Sequence, residues 1–186
     1  MRIQGQKVAM RDMQRTDVEY KVKWFNDPDV NKSLLIEEKL DLNKSLEWFE
    51  RTRNDASRRD FVIESKEGKP IGIIALVHID DVHGTAECFC VIGEKAYWGG
   101  GIGTEAHILL ADWAFRDLGL HKIWAYIRPE NTAIIKVVEK IGFKVEGMLR
   151  EEKCVAGKRV DVARIGLLRR EFYAVHSELG KKGCDG

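Results

Sequence analysis

The feature that most constrains this chain is a change of pattern in its middle third. Residues 61–64, 71–79 and 85–92 are dense in β-branched and aromatic side chains, with Gly68-Lys69-Pro70 and the segment 80–84 between them. Such residues suit a pleated, half-buried surface, and the Gly, Pro and Asp clusters punctuate it, so the three segments read as hairpin-linked strands. A glycine run, Gly99-Gly100-Gly101-Ile102-Gly103, follows, and then Ile102, Ala106, Leu109, Leu110 and Trp113 recur at helical spacing up to a stop at Gly119. Antiparallel strands feeding an amphipathic helix need a sheet with that helix packed on one face.

The flanks extend the pattern. Residues 8–10 read as a short strand. Thr16, with Glu19 three positions on, has the capping-box pattern and predicts a helix to about Asn26, ended by Asn26-Asp27-Pro28-Asp29. A second helix fits 43–55, with Leu46, Trp48 and Phe49 as its apolar side. Downstream, 121–127 reads as a strand. Residues 132–141 read as a short helix with Ile134, Val137, Val138 and Ile141 on one side. Residues 143–149 and 160–168 form a closing pair turned near Ala156-Gly157-Lys158. The expectation is a single α/β domain over 1–176, one mixed and mostly antiparallel sheet flanked by helices, with a loose tail over 177–186. A chain of 186 residues that is 44% hydrophobic supports one full core.

Several classes are disfavoured. A net charge of +1 gives no basic footprint for nucleic acid. The first ten residues contain no apolar signal region, and apolar runs such as 71–77 are too short to cross a bilayer. Cys88, Cys90, Cys154 and Cys184 do not form a disulfide framework, so cytosolic thiols and a cytoplasmic location are expected. Cys88-x-Cys90 with His78 and His83 offers a metal reading, but two side chains buried on one strand face is the simpler one, and no metal is expected.

The strongest chemical signal is Trp98-Gly99-Gly100-Gly101-Ile102-Gly103-Thr104 between a strand and a helix. Glycines let successive N–H groups converge, and the helix adds its unpaired N-terminal donors and dipole. The result suits a phosphate or pyrophosphate; a plain surface turn is the rival reading. No Gly-Lys-Ser/Thr is present for a Walker loop. Gly101-x-Gly103-x-x-Ala106 fits the dinucleotide fingerprint, but antiparallel strands precede it and 119–127 lacks the acid that the fingerprint requires.

Together these residues resemble the GNAT superfamily of N-acetyltransferases, over 8 to about 172. Gly101 and Gly103 fill the two small positions of its pyrophosphate loop, although Trp98 stands where Arg or Gln is usual. Asn131-Thr132-Ala133-Ile134, followed by Glu139-Lys140-Ile141-Gly142-Phe143, is similar to its second landmark. Tyr97-Trp98-Gly99, Glu146-Gly147-Met148-Leu149-Arg150-Glu151 and Gly157-Lys158-Arg159-Val160-Asp161 resemble the branch with ribosomal-protein N-terminal and spermidine acetyltransferases. The resemblance implies acetyl-CoA as cosubstrate, its pyrophosphate on Trp98, Gly99, Gly100, Gly101, Ile102, Gly103 and Thr104. It implies a pantetheine arm along the strand ending at Val91-Ile92, between two splayed strands that commonly carry a β-bulge, with Asn131 bonding the pantetheine amide.

Acetyl transfer by direct attack in a ternary complex requires the amine to lose a proton, from a pKa of about 10.4 for a lysine-type ammonium. Glu87 matches a Glu common in the branch and is the candidate base, with an ordinary ion pair as its rival role; His78 and His83 are poorer candidates. The family's Tyr and Ser proton donors are replaced by Val138 and Ile134, while Tyr126 and Tyr97 lie nearby in sequence. That loss keeps a non-catalytic acetyl-CoA-binding module open as the alternative. The expected acceptor is a small amine, such as a polyamine or amino sugar, or a protein N-terminus. Glu19, Asp27, Asp29, Glu37, Glu38 and Asp41 either attract a polyamine or form a solvated face. Homodimerisation is compatible with the resemblance.

Overall fold

A computed structural model of the chain describes residues 1–32, 34–35 and 39–180. Glu37, Glu38 and Cys184 lie outside the described residues. Eight strands form one sheet: β1 (Arg2–Gln4), β2 (Val8–Asp12), β3 (Arg59–Ser65), β4 (Pro70–Asp80), β5 (Thr85–Ile92), β6 (Lys122–Ile127), β7 (Lys144–Val155) and β8 (Lys158–Leu168). Their spatial order is β1-β2-β3-β4-β5-β6-β8-β7. Every neighbouring pair is antiparallel except β5 and β6. The helices are α1 (Val18–Asn26), α2 (Pro28–Asn31), α3 (Leu42–Thr52), α4 (Ile102–Arg116), α5 (Thr132–Ile141), α6 (Arg169–Val175) and α7 (Ser177–Gly180).

Strand alternation divides the core in two. On one face Ala86 and Cys88 of β5 join Ala106, Leu110 and Phe115 of α4 and Val138 and Ile141 of α5. On the other, Val91 joins Val18, Trp24 and Phe25 of α1 and Phe49 of α3. Both faces are therefore covered.

The parallel pairing of β5 with β6 is short. It joins Thr85 to Lys122, Ala86 to Ile123 and Glu87 to Trp124, and then stops. β5 continues against β4 as far as Ile92, and β6 continues against β8 as far as Ile127. Each strand thus keeps its outer neighbour and parts from its inner one. The bulge lies in β4, between Val77 and Asp80, and not at the parting itself. His78 sits in it with φ of 51°.

Two local expectations, the first helix's cap and the end of β7, are corrected, and two short elements are added. The first helix is not capped by Thr16 and Glu19: Asp17 Oδ2 accepts from the Gln14 N–H at 2.7 Å, and Arg11 grips both Asp17 oxygens at 2.6 and 2.8 Å. A buried, doubly held carboxylate outcompetes an exposed glutamate for the helix start. Residues 2–4 add an edge strand. β7 runs beyond residue 149 to Val155, its register with β8 shifting between Leu149 and Lys153. Ser177–Gly180 forms α7, whose Leu179 packs on the core; 181–186 lie outside the described residues.

Candidate active site

The parting of β5 and β6 opens a cavity of about 340 Å³. Glu87, Phe89, Cys90 and Val91 form its β5 wall, and Ala125, Tyr126, Ile127 and Arg128 its β6 wall. Phe25, Leu34 and Leu35 close it on the α1 side, and His107, Asn131, Ile134, Val138 and Phe143 on the side of α4 and α5.

The β5 backbone here has a defined polarity. Gly93 donates its N–H to Ile71 of β4 at 2.9 Å. Donors alternate along an antiparallel strand. The Val91 and Phe89 amides therefore face β4 and the Cys88 and Cys90 amides face β6, where Cys88 closes the parallel ladder by donating to the Trp124 carbonyl and Cys90 opens onto the slot. Beyond that bond no β6 residue pairs with β5. Ile92 presents its carbonyl to Trp98 Nε1 at 2.8 Å, which ties the end of β5 to the start of the glycine loop.

That loop is held by its own sequence. Gly99 and Gly101 have φ of 79° and 78°, a left-handed conformation costly for any residue with a Cβ. Gly101 caps α4, and Lys7 Nζ donates to the Gly100 carbonyl at 2.9 Å. A Cβ at Gly99 would meet nothing within 4 Å, and one at Gly103 only Ile92 Cγ1 at 3.9 Å. The chain's own packing thus leaves space open at Gly99 and Gly103, with Lys7 Nζ 3.1 Å from where a Cβ on Gly101 would stand, and a cation beside an α-helix N-terminus suits a pyrophosphate. Ile102 and Thr104 lie in the first turn of α4. The loop is not in the cavity wall, but His107 Nδ1, 2.7 Å from the Gly103 carbonyl, bridges the two.

Glu87 stands at the fork where the strands part. Its Oε2 lies 3.0 Å from His78 Nδ1, and its side chain is 21% exposed. Glu87 pairs with Val77, so regular alternation would send His78 to the other face; the bulge in β4 turns it back onto Glu87. His83 has no part in this: its backbone N–H donates to Asp80 in the β4–β5 turn.

Asn131 carries two demands. Its Oδ1 caps α5 by accepting from the Ile134 N–H at 3.2 Å, and the residue also lines the cavity. Val138 and Ile134 form apolar wall, so neither of those positions supplies a proton. Tyr126 is the hydroxyl-bearing residue of the wall among the described residues, whereas Tyr97 packs on the core away from it.

Burial sets the chemistry of the remaining groups. It pushes the Cys90 thiol up to about 12 and Cys88 higher still, so both stay protonated at neutral pH. Burial also holds the His107 imidazole below its ordinary pKa, leaving a neutral ring whose Nδ1–H donates to Gly103. Among the described residues, no three His, Cys, Asp or Glu side chains converge as a metal site would require. No described helix is long and apolar enough to cross a membrane.

Of the acids suggested for a polyamine, Glu37 and Glu38 lie outside the described residues, and Asp27, Asp29 and Asp41 are engaged elsewhere. Lys95 pairs with Asp29 at 2.7 Å and with Asp27 at 3.0 Å. Asp27 caps α2, Asp41 caps α3, and Glu19 is exposed on α1. The sequence did not point to His107, Arg128 or Lys153. His107 is the one with a local signal, a polar residue among Ala106, Leu109 and Leu110 on the apolar side of a helix.

Residues 7–144 match the model of the family described as "Acetyltransferase (GNAT) domain". The chain is 30% identical to the uncharacterized N-acetyltransferase p20 of Bacillus licheniformis, over 90% of this chain and 96% of the relative. It is also 30% identical to the spermidine N(1)-acetyltransferase of Escherichia coli K12, over 94% of this chain and 92% of the relative. The crystal structure of spermidine N-acetyltransferase from Vibrio cholerae, in complex with CoA and spermine, superposes with a TM-score of 0.84 at 26% identity. That match covers 90% of this chain and 99% of the other. With its parted parallel strands and its glycine loop at the head of α4, this chain belongs to the GNAT family of acetyl-CoA-dependent N-acetyltransferases.

Proposed function

We propose that the chain acetylates the primary amine of a small molecule by direct attack within the slot between β5 and β6, with Glu87 as the base. The carrying observation is that the strands part immediately after Glu87, so the carboxylate borders both the slot and the α1 side of the cavity. Acetyl-CoA supplies the acetyl group. Its pyrophosphate would rest on the loop 98–104, where a left-handed turn and a helix N-terminus meet open space. Its arm would follow Val91 and Ile92, taking bonds from the Cys90 amide and from Asn131. Glu87 accepts the ammonium proton directly or through a water, and His78 orients the carboxylate. An N–H of β5 facing the slot stabilises the charge that develops on the carbonyl oxygen. Tyr126 returns a proton to the departing thiolate.

Thiols kept protonated by burial argue for direct transfer rather than an acetyl-cysteine intermediate. Initial velocities with acetyl-CoA and amine both varied test this: intersecting double-reciprocal lines are expected, and parallel lines would contradict it. The cavity volume, walled by Phe25, Leu34 and Leu35, favours a small acceptor over a protein N-terminus. The relatives named for spermidine put polyamines on the acceptor panel. A cytoplasmic location fits the free thiols, including exposed Cys154. Homodimerisation through edge strand β7 is supported by exposed Val145 and Met148, and light scattering would test it.

A further inference from the structure

Two cationic side chains on the acceptor side of the cavity, Arg128 and Lys153, make no ion pair among the described residues. Glu87 and Trp124 are paired neighbours in a parallel ladder, so their side chains share a face; Tyr126 follows on that face, and Arg128 is next in alternation. Arg128 lines the cavity, and its Nε is buried without a hydrogen-bond partner. Its described bond is from Nη2 to the Leu34 carbonyl at 3.4 Å, a long contact for a group with five donors. Lys153, from β7, also lines the cavity, with Nζ 5.0 Å from the Tyr126 ring centroid. Neither cation takes part in an ion pair among the described residues, whereas Lys95, Lys122 and Lys144 do. Glu87 is the one carboxylate in the described wall.

We propose that Arg128, supported by Lys153, is an anion subsite of the acceptor pocket, so that the preferred acceptor is a small primary amine that also carries a carboxylate or phosphate. This deepens the acetyltransferase reading and rests on it. The amine docks by Glu87 and the anion by Arg128. The planar guanidinium fork matches either anion through two parallel bonds and fills the donors now unmet. Arg128 lies four residues along from Trp124, roughly 13 Å at strand rise, so several bonds separate amine from anion. A fully cationic polyamine would instead bring like charge against Arg128 and Lys153.

The test uses matched acceptors: lysine against lysinamide, glucosamine 6-phosphate against glucosamine, and spermidine. Turnover is read as CoA release, and binding is read separately by calorimetry on the full chain with CoA present. An acidic amine should exceed its neutral counterpart at least tenfold in kcat/KM. R128Q should collapse that ratio tenfold or more, R128K should restore part of it, and the KM for acetyl-CoA should stay the same. The lysine and glucosamine arms show whether carboxylate or phosphate is read. Turnover that favours spermidine or neutral amines, or an R128Q loss equal for all acceptors in a folded protein, overturns the subsite and leaves the enzyme reading standing. Arg128-dependent binding of acidic amines without turnover of any amine keeps the subsite and overturns the enzyme reading. If no acidic amine binds or turns over, the subsite is refuted.

Discussion

His78 Nδ1 lies 3.0 Å from Glu87 Oε2, across a hairpin whose regular register would hold the two side chains on opposite faces. The β4 bulge that brings them together therefore orients the carboxylate at the fork of β5 and β6. Glu87→Gln keeps the shape and removes the proton acceptor. It should lower kcat about 100-fold, in the range for loss of a general base, with little change in CoA affinity. His78→Ala should lower kcat less, about tenfold, because Glu87 remains. Equal activity of Glu87→Gln and wild type would remove Glu87 as the base.

The glycine loop gives a graded pair of substitutions. Gly103 has room for a Cβ, with Ile92 Cγ1 3.9 Å away, so Gly103→Val should fold normally and yet weaken CoA binding at least tenfold by filling the space above the loop. Gly101→Val adds backbone strain at φ of 78° and should also lower thermal stability, on the order of 1 kcal/mol. Calorimetry and melting curves separate the two. An unchanged CoA affinity in folded Gly103→Val would sink the loop assignment.

Loss of the family's usual proton donors to Val138 and Ile134 shifts the load to Tyr126. Tyr126→Phe should reduce kcat by about 100-fold with amine KM little affected. A fully active variant would mean that solvent protonates the thiolate.

Lys21 sets a pH dependence of stability. Burial against Trp48 and Phe25 lowers its pKa from 10.5 to about 8, with Asp60 opposing and Arg58 reinforcing the shift. The folded value lies below the unfolded one, so between about pH 8 and 10.5 the unfolded chain binds more protons and this group's contribution to stability rises with pH. Lys21→Met should remove that rise, on the order of 2 kcal/mol. Denaturation midpoints of the two proteins, compared at pH 7.5 and 10, should converge as pH rises; a constant gap would contradict the assignment.

Local signals were legible in the sequence. The β-branched runs, Gly101 as the head of α4 and Gly142 as the end of α5 all follow from conformational preferences of single residues. The parting of β5 from β6 was visible only through family resemblance, because no residue at 88–92 has to break a ladder. His78 reads as a poor candidate from the sequence because its position beside Glu87 depends on a bulge that alternation does not predict. Asp17 displaced Thr16 and Glu19 as the helix-start device because Arg11, distant from the helix pattern, buries it. Arg128 and Lys153 come to line one cavity only after β6 and β7 are placed on either side of β8.

The central claim is that the slot between β5 and β6 and the loop at the head of α4 together hold acetyl-CoA. Amide hydrogen exchange of the full chain with and without CoA tests it most directly. Protection should rise at Cys90 and 99–104, and stay unchanged at Cys88, Phe89 and Val91, whose amides are bonded within the sheet. CoA binding that leaves Cys90 and the loop unprotected would contradict it.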